Sequence, residues 1–320
     1  MGRILNSIHR FFSEMSRSSS PNEDYINKLF LWFLILAAII MIIVIVAVLI
    51  GAIHYRSSRH QGEPEQITGI KWLEISWTII PLLILLIFFY FTVRFMKDID
   101  QPVDKNQQAD IIITARQWWW EMQYSKYNFT TANELHILVH QKLLMRVESA
   151  DVIHDWWVPE LGRKIDAIPG TSNYSWLEAS DTGEYKGTCS EYCGAQHAGM
   201  HILVISETKN EFDQWVQEQQ KVPSPPVDSV GQRGMRLFSE RTCAGCHSIS
   251  GIVAVSHIGP DLTHLASRKT LISGVLTNTP KNLYLWLQNP QKLKKGSHMP
   301  NFLLSNNELE ALVKYLEELE

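Results

Sequence analysis

From Leu29 to Ile53 the chain runs for about 25 residues without a charged side chain. At 1.5 Å per helical residue this stretch reaches about 37 Å, enough to cross a hydrocarbon core of about 30 Å. A second uncharged run, Ile75 to Val93, reaches roughly 28 Å and contains Pro81, which a membrane helix tolerates when neighbours satisfy the freed backbone groups. Both runs exceed the roughly 7 to 15 apolar residues of a signal peptide. The expectation is a two-helix transmembrane hairpin with spans at about 29–53 and 74–95. Residues 1–28 and everything after Phe95 then lie on the same side. Charge does not choose the side: Arg56, Arg59 and Lys71 sit in the connecting loop, while Arg3, Arg10, Arg17 and Lys28 precede the first span.

Beyond the spans the pattern changes. Residues 109–205 are short apolar or alternating runs (IIITARQWWW, ELHILVH, LLMRVES, HILVIS) separated by turn signals such as Pro169-Gly170 and Asp181-Thr182-Gly183. That pattern predicts an all-β sandwich or barrel. Residues 207–220 read as a closing helix, and KVPSPPVDS, residues 221–229, as a semi-rigid Pro-rich linker. From Val230 the periodicity turns helical, with Leu309, Leu312, Val313 and Leu316 at helical spacing. A helical segment of about ninety residues with so thin a core calls for a metal or cofactor staple. The net charge of −4 and 45% hydrophobic content point away from nucleic-acid binding and from disorder.

Cys243-Ala-Gly-Cys246-His247 is a C-x-x-C-H run, the pattern of covalent c-type haem attachment, in which two thiols bond the haem and the histidine ligates iron. Met299, in GSHMPNF, is the expected second axial ligand, because a His/Met pair suits electron-carrying cytochromes. Its neighbour His298 is the rival. CAGCH, then IGPDLT (residues 258–263), then MPNF and a C-terminal helix together resemble a class I cytochrome c. This resemblance implies that the Pro260 carbonyl orients His247.

The other two of the four cysteines lie in CSEYCGAQHAGM, Cys189 to Met200. A disulfide would leave the spacing of His197 and Met200 unexplained, and tetrahedral zinc has little use for a thioether. Thiolates, imidazole and a weak methionine are the donor set of copper electron-transfer sites, so copper is favoured.

VIHDWWVPELGRKIDAIPG, residues 152–170, supplies His154 and closely resembles the H-x-x-x-V-P-x-L-G-x-K/R-x-D-A-I-P-G signature of cytochrome c oxidase subunit II. The downstream C-x-E-x-C-x-x-x-H-x-x-M is similar to the same family's copper A motif. The resemblance implies a binuclear copper A centre. Cys189 and Cys193 would bridge two coppers, His154 and His197 would each cap one, Met200 would be a weak ligand, and Glu191 would contribute its carbonyl. It also implies that the Glu191 side chain reaches a magnesium ion shared with subunit I. Asp155 and Trp157 depart from the smaller residues common in the family at those positions.

QWWWEMQY, residues 117–124, puts three tryptophans in a row on a predicted strand, with Trp118 and Trp120 on one face and Trp119 on the other. At least one large aromatic must then be exposed or covered by a partner. In the family, the position of Trp118 is where electrons arrive from cytochrome c. Glu74 opens the second span, and an ionisable residue at membrane depth is a functional candidate. The family's matching glutamate lies at the mouth of a proton pathway in subunit I.

The resemblance, running from the first span to the C-terminus, is to a caa-type subunit II with a fused cytochrome c. It implies three parts: a transmembrane hairpin (29–96), a cupredoxin-like Greek-key β-barrel carrying copper A (97–220), and, after the 221–229 linker, an all-α class I cytochrome c domain (230–320). It further implies an oxidoreductase subunit of the bacterial cell membrane whose N-terminal segment and copper and haem domains are extracytoplasmic. Electrons would pass from an external donor to haem c, to copper A, and on to haem a and copper B of subunit I, with proton pumping and with subunit III as a further partner. With no N-terminal cysteine to lipidate, the expected anchor is protein alone. A quinol-oxidising relative is disfavoured by the complete copper ligand set, and a nitrous oxide reductase by the small number of histidines. A membrane-anchored electron carrier outside an oxidase is the alternative.

Overall fold

A computed structural model describes residues 18–56, 69–104, 107–252 and 256–320. Arg3, Arg10, Arg17 and Arg59, which entered the charge argument, lie outside the described residues, as does most of the expected N-terminal segment. The chain divides into two compact units, essentially residues 22–101 and 102–320.

The first unit is a helical hairpin. α1 (Pro21–His54) and α2 (Lys71–Ile99) have 18-residue windows of mean hydropathy 3.6 and 2.4. Their side chains are apolar all round and exposed outward, as a bilayer requires. Tyr25 meets Phe95, Trp32 meets Phe91 and Phe33 meets Phe88 at ring-centroid distances of 5.2, 5.0 and 6.5 Å. Partner numbers that rise on one helix as they fall on the other mean antiparallel packing. At about 51 and 44 Å, both helices outrun the expected spans. Apolarity marks only the hydrocarbon-crossing part, while the polar first turn of α1, opening with Pro21 at a position that needs no N–H, remains helical.

The second unit begins with ten strands: β1 (Ile111–Arg116), β2 (Trp119–Tyr124), β3 (Phe129–Ala132), β4 (Glu134–Leu138), β5 (Leu143–Ser149), β6 (His154–Trp157), β7 (Ile165–Ala167), β8 (Asn173–Leu177), β9 (Gly183–Cys189) and β10 (His201–Glu207). They form two five-stranded sheets, ordered β3-β2-β1-β5-β8 and β4-β10-β9-β6-β7. The β1–β5 and β4–β10 pairs are parallel. β1 alternates buried and half-buried residues. Its Ile111, Ile113 and Ala115 share one core with Leu135, Ile137 and Val204 of the opposite sheet, so the architecture is a cupredoxin-like sandwich. The closing helix, α3 (Lys209–Gln219), starts at a Thr208–Glu211 capping box.

The remainder comprises α4 (Ser229–Glu240), the ribbon β11 (Thr270–Leu271) and β12 (Leu276–Thr277), α5 (Pro280–Gln288), α6 (Pro290–Leu293) and α7 (Asn306–Leu316). The linker's last residues already belong to a helix start, because the Asp228 side chain accepts from the N–H groups of Val230 and Gly231. α4 and α7 cross at Gly234. A Cβ there would lie inside contact distance of the Ala311 carbonyl oxygen and 2.7 Å from Tyr315 Cβ. Phe238, Leu309, Leu312 and Leu316 anchor the core that this crossing makes.

Candidate metal and haem centres

Five side chains from two chain regions converge at one end of the sandwich. β9 ends on Cys189, the loop after it carries Cys193, a short 3-10 turn (His197–Gly199) carries His197, and Met200 leads into β10. β6 lies beside β9, pairing Trp156 with Cys189, and so brings in His154. The closing bonds are local: Cys189 N–H donates to the Met200 carbonyl and Ser190 N–H to the Asp155 carbonyl.

The two thiols lie 3.7 Å apart. His154 Nδ1 is 3.8 Å from Cys189 Sγ, His197 Nδ1 is 3.6 Å from Cys193 Sγ, and Met200 Sδ is 3.9 Å from Cys193 Sγ. The Glu191 carbonyl oxygen lies 3.3 Å from Cys189 Sγ. His154, both cysteines and Met200 are buried. Among the described residues, His154, Cys189 and Cys193 are the one group of three such donors close enough to share a metal ion.

Charge is unevenly held across the thiol pair. The hydrogen bond with Cys193, supported by that with His154, outweighs burial and pulls the Cys189 thiol well below its ordinary range, while the hydrogen bond with Cys189 and then burial push Cys193 strongly upward. One proton is therefore lost readily and the second is retained, because two thiolates this close repel. A cation between them would remove that repulsion. Burial acts to lower the His154 pKa, but Asp151 and Cys189 outweigh it and hold it above the ordinary value.

Sequence reasoning missed Asp151. Its Oδ1 lies 2.8 Å from His154 Nε2, which leaves Nδ1 facing the thiols, and its carboxylate also accepts the N–H groups of Gln117 and Val152. A carboxylate behind a histidine fixes the ring and tautomer of a metal ligand. Its position three residues before His154 was the available signal.

Trp118 sits in the turn before β2 rather than on the strand, so it does not share a strand face with Trp120 as expected. All three tryptophans are buried. The Trp118 indole N–H donates to the Cys193 carbonyl over 3.0 Å, and the Gln117 amide donates to the same oxygen over 2.8 Å.

In the C-terminal segment, Cys243 opens a short 3-10 turn (Cys243–Gly245) and Cys246 closes it. His247 Nδ1–H donates to the Pro260 carbonyl over 2.8 Å. Burial lowers its pKa, favouring the neutral, ligating imidazole. The ring packs onto Gly259, where a Cβ would lie 2.6 Å from its Cε1. Cys243, Cys246, His247 and Met299 line one cavity with Leu262, Leu283, Trp286, Leu287 and Phe302. Met299 packs on the segment's core. Its rival His298 is exposed and sits over Trp118 at 5.3 Å between ring centroids.

Glu74 lies exposed in the first turn of α2. The Glu191 side chain is exposed too, and among the described residues it belongs to no group of three histidine, cysteine or carboxylate donors close enough to share a metal ion.

The comparisons with known proteins agree with this architecture. Family profiles described as cytochrome c oxidase subunit II transmembrane domain, cytochrome c oxidase subunit II periplasmic domain, and cytochrome c match residues 9–94, 129–207 and 231–320. Cytochrome c oxidase subunit 2 of Alkalihalophilus pseudofirmus is 35% identical over 306 residues, covering 93% of this chain and 88% of the relative. The same subunit of Bacillus sp. (strain PS3) is 32% identical over 283 residues, covering 82% and 79%. The crystal structure of the periplasmic domain of subunit II of cytochrome oxidase of Bradyrhizobium japonicum is 35% identical, covers 36% of this chain and 96% of that one, and has a TM-score of 0.34. This chain belongs to the cytochrome c oxidase subunit II family, with a copper-binding domain, membrane-spanning helices and a fused C-terminal cytochrome c domain.

Proposed function

We propose that this chain is the electron-accepting subunit of a proton-pumping terminal oxidase in a bacterial cell membrane, with residues 97–220 carrying copper A and residues 230–320 carrying haem c on the extracytoplasmic side. The observation that carries the reading is that the cavity bearing Cys243, Cys246, His247 and Met299 also includes Trp118, whose indole N–H is bonded to the Cys193 carbonyl. One residue therefore joins the two candidate cofactor sites.

The donor sets fit both cofactors. Two buried thiols flanked by two imidazole nitrogens, a thioether and a carbonyl are soft and numerous enough for two coppers, whereas a zinc ion would leave the thioether idle. A C-x-x-C-H run opening into an apolar cavity with a methionine fits a covalently attached haem, which Cys243 and Cys246 would tether and whose iron His247 and Met299 would hold. When bound, the two groups supply one-electron carriers through which electrons from an external donor, such as a small cytochrome c, reach haem a and copper B of subunit I for reduction of oxygen. The chain's own residues position and insulate. Asp151 orients His154, Pro260 orients His247, and Trp118 holds the Cys193 loop against the haem cavity. The β6, β9 and β10 framework fixes the copper donors so that little moves when charge changes. Glu74, at the cytoplasmic end of α2, would serve the mouth of a proton pathway in subunit I, and Glu191 would offer one donor to a magnesium ion at that subunit's surface. Subunit III completes the expected assembly.

Purification of the tagged chain from native membranes in mild detergent tests the reading. A haem a protein is expected to accompany the chain in constant ratio. Its absence would leave a membrane-anchored carrier and overturn the oxidase assignment.

A further inference from the structure

Two buried ionisable side chains, a carboxyl and an amine whose pKa burial pushes down to about 7, lie where the haem-bearing segment meets the sandwich, and each finds its partners mainly across that boundary. Glu134, at the start of β4, is 2% exposed. Its carboxylate accepts from Lys269 N–H over 3.0 Å, Thr270 N–H over 2.7 Å and the Thr270 hydroxyl over 2.6 Å. Lys294, just after α6, is 4% exposed. Its Nζ donates to the carbonyls of Trp118 and Gly199 over 2.8 and 3.1 Å and to Ser273 Oγ over 3.1 Å. The Ser273 hydroxyl donates in turn to the Trp118 carbonyl over 2.8 Å. Ser273 itself belongs to a ribbon tip whose Ile272, Ser273 and Gly274 all have positive φ, a conformation that costs energy at non-glycine residues and persists only where the surroundings enforce it.

Surface ion pairs contribute little and dissolve in salt. Buried hydrogen-bonded groups act differently, because separating the two bodies would strip each of its fitted partners, and a buried polar group left without a partner is strongly destabilising. We propose that Glu134 and Lys294 form a reciprocal latch that keeps the haem-bearing segment permanently seated over Trp118, so that a soluble electron donor docks on that segment and does not reach Trp118. The segment is thus a fixed cap rather than a carrier swinging on its Pro-rich linker. The donor's site rests on the function proposed above; the latch itself does not.

Hydrogen exchange on the full chain, purified in detergent with haem and copper bound, tests the latch without reference to oxidase activity. In the wild-type chain, backbone amides at 117–119, 199–201 and 269–274 are expected to exchange slowly at both low and molar salt. Lys294→Met and Glu134→Gln are each expected to speed exchange there on the order of a hundredfold, while β1, β9 and α7 keep their protection and the haem and copper spectra persist. A second readout separates capping from mere stability: in Lys294→Met, oxidation of soluble reduced cytochrome c should gain a second, salt-sensitive kinetic phase as Trp118 becomes accessible. Fast exchange of these segments in the wild-type chain, protection lost in molar salt, or an unchanged pattern in both variants would overturn the proposal. Failure of a haem a protein to co-purify would instead sink the oxidase reading and leave the latch standing.

Discussion

Gly234→Ala sets helix propensity against packing, and the two demand opposite signs. Gly234 is the sixth residue of α4, and in an interior helical position alanine is favoured over glycine by about 1 kcal/mol. Propensity alone makes the variant more stable. The new Cβ, however, would press on the backbone carbonyl of Ala311 and lie 2.7 Å from Tyr315 Cβ. Neither obstacle is the far end of a flexible side chain, so relief requires α4 and α7 to move apart. Overpacking of this kind costs about 1 to 3 kcal/mol, and more where backbone must shift. Taking about 3 against the gain of about 1 leaves a net loss of about 2 kcal/mol. For a segment of this size, a loss of about 1 kcal/mol lowers Tm by roughly 4 to 8 °C, so thermal unfolding of the haem-bearing segment, followed through haem absorption in the full chain, should shift down by roughly 10 °C. Phe238 of α4 and Leu312 and Leu316 of α7 line the haem cavity, so the haem spectrum should be perturbed below that transition too. A variant that melts at or above the wild-type temperature would refute the close crossing.

Three further outcomes follow from the geometry. Asp151→Asn removes the charge behind His154 and should weaken copper binding about 10- to 100-fold in competition with a chelator, leaving the haem spectrum unchanged; unaltered affinity would contradict the orienting role. Tyr124→Phe removes a hydroxyl that donates to the His136 carbonyl and accepts its N–H, both at 2.8 Å. That should destabilise the sandwich by about 1 to 3 kcal/mol in urea, and a change under about 0.5 kcal/mol would count against it. Glu308 is held at about 2, below its ordinary 4.5, first by the Ser305 N–H and hydroxyl and then by Arg241. Because the folded-state value is depressed, its stabilisation is present above pH 4.5 and disappears as pH falls through about 2. The wild-type chain should therefore outlast Glu308→Gln near neutrality and lose that advantage in acid; a constant difference across the range would refute the assignment.

What was legible in the sequence follows from range and chemistry. Apolar runs of bilayer length can only be spans, yet the ends of α1 and α2 lie beyond them because polar residues continue a helix without leaving a hydropathy trace. CAGCH and CSEYCGAQHAGM were readable because their donors are close together in sequence, and His154 became readable only through a family signature. Trp118 was misplaced because strand alternation says nothing about a turn that interrupts the strand just before Trp119. Glu134 and Lys294 left no trace at all. Their partners are 136 and 176 residues away, and a charged side chain reads as surface until its acceptors or donors are known.

The most direct measurement on the central claim, that Cys189 and Cys193 together with His154, His197 and Met200 hold a binuclear copper centre beside a c-type haem, is electron paramagnetic resonance of the purified, copper-loaded chain. An electron shared equally between two copper nuclei gives a seven-line hyperfine pattern, and the account expects that pattern alongside the absorption of a c-type haem. A four-line spectrum from a single copper, or a colourless protein carrying zinc, would contradict it.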